Sequence, residues 1–133
     1  MNILFDTHIL LWISMNEQAK FSQRSLDLIN DINNNCYISV ATIWEISIKS
    51  ALGKPNFDVN AKELVKYAQD LGVIILPIKV EHTLGVAKLP LIHGDPFDRL
   101  LLVQSKMENL TLMTADDKLL KYDYHGLLDV RKK

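Results

Sequence analysis

Four acidic residues stand at the positions where a parallel sheet would present reactive groups. Asp6 directly follows a short apolar run near the N-terminus, and Asp116 lies two residues beyond the fourth such run. Glu45 lies about one turn into a helix predicted after the second strand, and Asp98 begins the helix that leads back to the fourth strand. Ligands of open parallel sheets bind beyond the carboxyl ends of the strands. We therefore expect the four carboxylates to meet in one crevice.

Carboxylates gathered in one crevice indicate a cation. They repel one another and take up protons unless a positive charge neutralises them. Ligand sets made only of oxygen are typical of Mg²⁺ or Mn²⁺ and not of Zn²⁺. Such cations assist phosphoryl transfer, so we expect hydrolysis of a phosphodiester by in-line attack of water. Thr7, Ser39 and Thr114 stand at predicted strand ends, where their hydroxyls are expected to hydrogen-bond the carboxylates or bound water.

Several other chemistries are excluded by the residue pattern. The five glycines are too far apart to form a Walker A loop or a G-x-G-x-x-G turn, and neither H-E-x-x-H nor G-x-S-x-G occurs. Cys36 is the only cysteine, which excludes an internal disulfide and a cysteine-based zinc site.

Each of the four acids also has a structural interpretation. Asp6 could cap a helix that starts at Thr7, and Asp98 could satisfy N–H groups in the first turn of its own helix. Glu45 and Lys49 have the spacing of an ion pair within a helix. None of these interpretations explains why all four acids stand at one edge of the predicted sheet.

Neighbouring polar and aromatic residues leave further alternatives open. Asp95 is interpreted as a turn residue, with support of the site as the alternative. Because a cation makes a protein base unnecessary, His8 is interpreted as a packing or orienting residue, and His93 either touches substrate or fills its loop. Arg99 could hold a phosphate, although an ion pair with a nearby acid is favoured. Trp44 is interpreted first as a core or interface residue and second as a platform for stacking bases.

Strands alternate with helices along the chain, which predicts a three-layer α/β/α fold around a central, mainly parallel five-stranded sheet. The predicted strands are 3–5, 36–40, 73–76, 111–114 and 127–130. The predicted helices are 9–14, 22–32, 42–52, 61–71, 80–86, 97–108 and 116–120. Gly53 and Gly72 are expected to follow the ends of two helices. Residues 1–133 are expected to form a single domain, with 131–133 as a frayed tail.

Charge and hydropathy bear on nucleic-acid binding and on localisation. The chain has 15 basic and 16 acidic residues, a formal net charge of −1. Nucleic-acid-binding proteins usually carry a basic excess, so binding of RNA here would depend on local patches or on a cation. The N-terminus lacks the basic segment of a signal peptide, and no apolar run approaches the roughly 20 residues that cross a bilayer. We expect a cytoplasmic protein without a membrane segment.

Four ordered segments carry a resemblance to a known family. ILFDTHILLW, ISVATIWEISIK, HGDPFDRLL and LMTAD resemble the signatures of PIN-domain ribonucleases. Within that family they are most similar to VapC-like toxins of bacterial type II toxin–antitoxin systems. The match runs from residue 3 to residue 117.

The resemblance implies a PIN-like fold and an endoribonuclease dependent on Mg²⁺ or Mn²⁺. It also implies a homodimer, an antitoxin that blocks the site, and cleavage products with a 5′-phosphate and a 3′-hydroxyl. The residues that fall on the family's acidic quartet are Asp6, Glu45, Asp98 and Asp116. Thr114 falls on the hydroxyl residue before the last acid. Asp117, a second acid beside Asp116, departs from the pattern and leaves the fourth ligand open.

Two other functions stay open for such a domain. One is a PIN nuclease of RNA maturation that has no antitoxin, and the other is a catalytically silent PIN scaffold that binds RNA or protein. The intact quartet argues against the silent scaffold, because binding alone gives no chemical reason to keep four crowded acids. We expect Asp6, Asp98 and Asp116 to bind the cation, and Glu45 to bind it directly or through water.

Overall fold

A computed structural model of the chain describes residues 1–53 and 58–132. The strands are β1 (Asn2–Phe5), β2 (Asn35–Ser39), β3 (Ile74–Leu76), β4 (Thr111–Thr114) and β5 (Leu127–Asp129). The helices are α1 (Thr7–Ser14), α2 (Gln23–Asn30), α3 (Val40–Ala51), α4 (Ala61–Asp70), α5 (Val80–Gly85) and α6 (Pro96–Met107). Short 3₁₀ turns occupy Gln18–Lys20, Val86–Lys88 and Leu119–Lys121.

The five strands form one sheet in the order β3-β2-β1-β4-β5. Every pairing among them is parallel. Helices cover both faces, which confirms the three-layer α/β/α fold with a central five-stranded sheet. The chain builds β2 and β3 on one side of β1 and then returns to build β4 and β5 on the other. The order of the strands therefore reverses between β1 and β4. Ligands of open α/β sheets bind beyond the carboxyl ends of the strands at such a point.

The alternation of side chains along β1 creates the two halves of the core. Ile3 and Phe5 point to one face, where they pack in a cluster with residues of α1, α2 and α4. Leu4 points to the other face and packs with residues of α6, among them Leu101. All three strand residues are almost completely buried. A strand covered on both faces shows a continuous apolar run, as this one does.

Local differences from the sequence-based prediction occur at the ends of elements. Val40 was expected to end the second strand but begins α3, because the Ser39 side chain caps that helix by accepting from the N–H of Ala41. The second helix was predicted to extend to Ile32, but it ends at Asn30, and Ile32 is 95% exposed. The helix predicted at 116–120 is a 3₁₀ turn shifted toward the C-terminus.

Glycine ends two helices as the sequence indicated. Gly53 and Gly72 follow the caps of α3 and α4 with φ of 60° and 85°, a backbone region that favours glycine. Arg131, the first residue of the expected tail, is held by Asp117 at 2.7 Å and by Asp129 at 2.9 Å. Lys133 lies outside the described residues. None of the helices in the described ranges is long and apolar enough to cross a membrane.

Candidate active site

Asp6 lies at the carboxyl end of β1 and connects the first and fourth strands. One carboxylate oxygen accepts from the N–H of Ile9 at 2.9 Å, so Asp6 does cap α1. The other oxygen accepts from the hydroxyl of Thr114 at the end of β4. Burial raises the pKa of Asp6 above its usual value, although the bonds from Thr114 and Ile9 act in the opposite direction. Capping therefore explains only one of its two oxygens.

Glu45 is brought to the same edge by α3. Its side chain is buried, and its Oε1 accepts from the hydroxyl of Thr7 at 2.6 Å. Its Oε2 accepts from Lys49 at 2.9 Å, the ion pair that the spacing indicated. Because Thr7 follows Asp6 directly, this hydrogen bond ties α3 to the start of α1.

Asp98 lies in the first turn of α6. The backbone N–H groups of this turn are satisfied by another residue, Asp95. Asp95 is the cap of this helix, and its carboxylate accepts from the N–H of Phe97 at 2.8 Å and of Asp98 at 3.0 Å. The Asp98 carboxylate is thus free to point into the crevice. Burial, followed by the negative charges of Asp95 and of the other three acids of the quartet, raises the pKa of Asp98 to about 8. The direction of the shift is the one expected for a buried carboxylate with other negative charges near it.

Asp116 follows β4 and completes the quartet. Its N–H donates to the hydroxyl of Thr114 at 3.0 Å, and its Oδ1 accepts from the N–H groups of Lys118 and Leu119. Burial acts to raise the pKa of Asp116, but the Leu119 N–H and the His93 ring outweigh it and lower the pKa below its usual value. Asp116 therefore stays ionised under conditions in which Asp98 holds a proton.

His93 lies between two of the acids, a placement that the sequence did not resolve. Its Nε2 is 2.9 Å from Asp98 Oδ2 and 3.2 Å from Asp116 Oδ2. One ligand-type atom from each of these three residues lies within 4.8 Å of the others. The H-x-D-P-x-D spacing was visible in the sequence, but it does not indicate which way the loop turns.

Ser39 and Arg99 make contacts other than those predicted from the sequence. The position of Asp117 shows which of the two adjacent acids faces the crevice. Ser39 donates to Gln104 at 2.5 Å and contacts none of the quartet in the described residues. Arg99 does not pair with an acid there but donates to carbonyls of the preceding loop, those of Pro90 and His93 included. Asp117 is 80% exposed and bound to Arg131, so Asp116 is the acid that faces the crevice.

Trp44 lies at the rim of the site and not in the core. It is 56% exposed, precedes Glu45, and meets the ring of Phe97 edge to face with centroids 5.1 Å apart. Phe97 in turn precedes Asp98. This aromatic pair joins α3 to α6 at the residues that precede Glu45 and Asp98 in the sequence.

The group whose ligand-type atoms lie within 4.8 Å of one another among the described residues is Asp98, Asp116 and His93, and it does not include Asp6 or Glu45. Two of the acids have raised pKa values because their negative charges are buried and unbalanced. A dication would remove that imbalance, and carboxylate oxygens are the ligands that Mg²⁺ and Mn²⁺ prefer. A cavity of about 600 Å³ is lined by residues of α1, α2 and α4, and none of the four acids lines it.

The sequence matches the PIN domain family over residues 3–124. The chain therefore belongs to the PIN domain family. No curated protein matches it in sequence.

Three solved structures share the fold. VapBC2 from Rickettsia felis, bound to a DNA fragment from its promoter, has a TM-score of 0.68 and 19% identity, covering 96% of each chain. VapBC-1 from nontypeable Haemophilus influenzae has a TM-score of 0.60 and 20% identity over 91% of each chain. A toxin–antitoxin complex from Klebsiella pneumoniae has a TM-score of 0.58 and 17% identity over 96% of each chain.

Proposed function

We propose that this chain is a divalent-cation-dependent endoribonuclease and the toxin of a type II toxin–antitoxin pair. The observation that carries the proposal is the convergence of Asp98 and Asp116 on one atom of His93, with Asp6 linked to the Asp116 backbone through the Thr114 hydroxyl, at the switch point of a PIN-domain sheet. Burial, and after it the charges of Asp95 and of the other three acids, raises the pKa of Asp98, so its ionised form is disfavoured in the absence of a cation. A scaffold that only binds would lose stability through this repulsion and gain nothing from it.

The role proposed for each of the four acids depends on the hydrogen bonds that it already makes. Asp6, Asp98 and Asp116 would hold the cation with carboxylate oxygens. Glu45 already accepts from Thr7 and Lys49 and would contribute as a further ligand or through water. A divalent cation bound there, Mg²⁺ or Mn²⁺, would polarise the phosphodiester and stabilise the charge that develops on the leaving oxygen.

The other residues of the site position the acids and the RNA. Thr114 holds Asp6 and the Asp116 backbone in one place, so the two strand ends keep a constant separation. Trp44 offers an exposed aromatic face on which an unpaired base could stack. Because the chain has no basic excess, stacking and the cation would supply much of the attraction for RNA.

The antitoxin partner is supported by the fold neighbours, all three of which are described as VapBC proteins or a toxin–antitoxin complex. A cationic side chain of the partner, best an arginine, would satisfy the acidic crevice in place of the metal. The cavity between α1, α2 and α4 includes the side chains of Trp12, Phe21 and Leu26 and would accept an apolar helix. We propose a cytoplasmic homodimer on the family resemblance.

Catalysis is tested by comparing two acids that differ in placement. Asp98→Asn keeps the shape of a residue in the crevice, and Asp117→Asn changes an exposed acid that is bound to Arg131. In Mg²⁺, cleavage of a structured RNA by Asp98→Asn should fall about a hundredfold or more. Asp117→Asn should retain wild-type activity. Comparable rates for Asp98→Asn and the wild type, with both proteins folded, would remove the quartet from catalysis.

The toxin assignment needs a separate experiment in cells. Expression of the chain alone should arrest growth, and co-expression of the adjacent reading frame should restore it. Asp98→Asn should be harmless in the same host. Unimpaired growth in cells that contain active nuclease would favour the nuclease of RNA maturation over the toxin.

A further inference from the structure

The ring of His93 lies where either a metal ligand or a hydrogen-bond donor would act. Its side chain is 10% exposed, and its Nε2 contacts the Oδ2 atoms of both Asp98 and Asp116. A bare Nε2 would make His93 a ligand of the cation beside the two carboxylates. A protonated Nε2 would make it a donor to both. These two states differ in the position of one proton.

The opposite ring nitrogen decides between them. The backbone N–H of Asp95 donates to His93 Nδ1 at 3.2 Å. A nitrogen that accepts a hydrogen bond carries no proton, so the proton of the neutral ring is on Nε2, facing the carboxylates. A histidine that binds a metal usually donates its second N–H to a carboxylate or carbonyl. Here the second nitrogen meets a donor, which disfavours metal ligation in this orientation.

The loop around His93 keeps the ring in this orientation. The N–H of His93 donates to the Tyr122 hydroxyl at 3.0 Å, and its carbonyl accepts from Arg99 at 3.3 Å. Arg99 and Tyr122 also bond each other at 3.1 Å, and both contact the carbonyl of Pro90. Asp95 is held in its turn by capping α6. Every polar group of His93 thus has a partner whose own position is determined by further bonds.

We propose that His93 is a positioning residue: its Nε2–H donates to Asp98 and Asp116 together, keeps the two carboxylates at one place in the crevice, and does not bind the cation. The inference rests on the proposed function, since it assumes that these acids bind the metal. It explains the role of Arg99 and Tyr122, which hold the loop and not a phosphate. It also keeps the ligand set all-oxygen, which favours Mg²⁺ and Mn²⁺ over Zn²⁺.

Two substitutions distinguish the effect of the N–H donor from the effect of the imidazole ring. In His93→Gln the amide nitrogen reaches about as far as Nε2 and offers N–H groups to both carboxylates, whereas His93→Leu fills the space without a donor. His125→Gln, at an exposed histidine, is the matched control. Titration with Mn²⁺ should give a dissociation constant about 10- to 100-fold weaker for His93→Leu, the usual effect of losing a bond to a ligating carboxylate. His93→Gln and His125→Gln should both stay near the wild-type value.

Two spectroscopic measurements report on the proton and the metal independently of activity. Two-bond ¹H–¹⁵N correlations of the EDTA-treated protein should show His93 protonated at Nε2. Pulsed EPR should show the same ¹⁴N couplings in the Mn²⁺-loaded wild type and in His93→Gln, because His93 does not bind the cation. A proton on Nδ1, a ¹⁴N coupling that is lost in His93→Gln, or an unchanged Mn²⁺ affinity in His93→Leu would each overturn the inference. If the folded wild type binds no Mn²⁺, the proposed function fails, while the NMR experiment still tests the donor.

Discussion

Raising the pH of the metal-free protein from 5.5 to 7.0 should lower its stability, and Asp98 should account for much of the loss. The pKa of Asp98 is about 8 in the fold, against 3.8 as its ordinary value. The protonated form therefore favours folding. Its contribution is complete below pH 3.8 and disappears as the pH rises through about 8. Both chosen pH values lie inside this window.

The size of the effect follows from the shift and from the exposure of the side chain. A group that keeps one extra proton in the folded state loses about 2 kcal/mol over 1.5 pH units. Since 15% of the Asp98 side chain is exposed, water screens part of this energy, and we expect about 1 kcal/mol. For a chain of this size that corresponds to a fall in Tm of roughly 4 °C.

Two neighbouring acids, Asp6 and Asp116, also affect how the free energy of unfolding depends on pH. The raised pKa of Asp6 adds a loss of the same sign. Asp116, whose pKa is lowered, stabilises the fold above its unfolded pKa and loses this contribution only as the solution becomes more acidic than the window used here. Its charge is therefore constant in both measurements.

Thermal melts in EDTA at the two pH values, for the wild type, Asp98→Asn and Asp117→Asn, measure the effect. Asparagine has the shape of aspartate but does not titrate, so the fall in Tm should be smaller in Asp98→Asn. Asp117→Asn should behave as the wild type, because its carboxylate is exposed and outside the crevice. Parallel pH dependence in all three proteins would refute the argument that the crowded acids store this energy.

Three further predictions concern the hydroxyl, the aromatic rim and the cation. Thr114→Val removes the hydroxyl shared by Asp6 and the Asp116 N–H, and should destabilise the protein by about 1–3 kcal/mol in urea unfolding, with Thr114→Ser restoring most of it. Trp44→Ala should raise KM for single-stranded RNA about tenfold at unchanged Mn²⁺ affinity, by loss of a stacking face; an unchanged KM would leave Trp44 without a role in binding RNA. Mg²⁺ at a hundred times its dissociation constant should stabilise the wild type by about 2.7 kcal/mol, and an equal response of Asp98→Asn in the same melts would place Asp98 outside the metal site.

The strands and the acids were predictable because both follow from simple periodicities. A buried parallel strand is an apolar run, and its carboxyl end must lie at the same edge as the others. Asp6 directly follows such a run and Asp116 lies two residues beyond another, while Asp98 stands in the first turn of α6 and Glu45 about one turn into α3. Their shared edge thus needed no knowledge of loop structure.

The place of His93 was not predictable in the same way. It depends on the path of residues 89–95, which have no periodic pattern and are held by Arg99 and Tyr122. Tyr122 is remote in sequence and lies beyond β4 in the chain, so the local pattern of the loop does not indicate this contact. Ser39 illustrates the opposite case: it is at a strand end as predicted, but its hydroxyl serves Gln104 on the α6 side of the sheet. The end of a strand determines a position along the sheet but not the direction of the side chain.

The hydrogen bond between Asp6 and Thr114 has a consequence for the order of events during synthesis. The two residues are 108 positions apart, and β1 needs β4 beside it to complete this end of the sheet. Asp98 and Asp116 also lie in the last third of the chain. A nascent chain on the ribosome has therefore made β1 to β3 long before it has a complete crevice. The protein that is proposed to cut RNA acquires that ability only after β4 and Asp116 have been translated, and truncated products that stop before β4 lack it altogether.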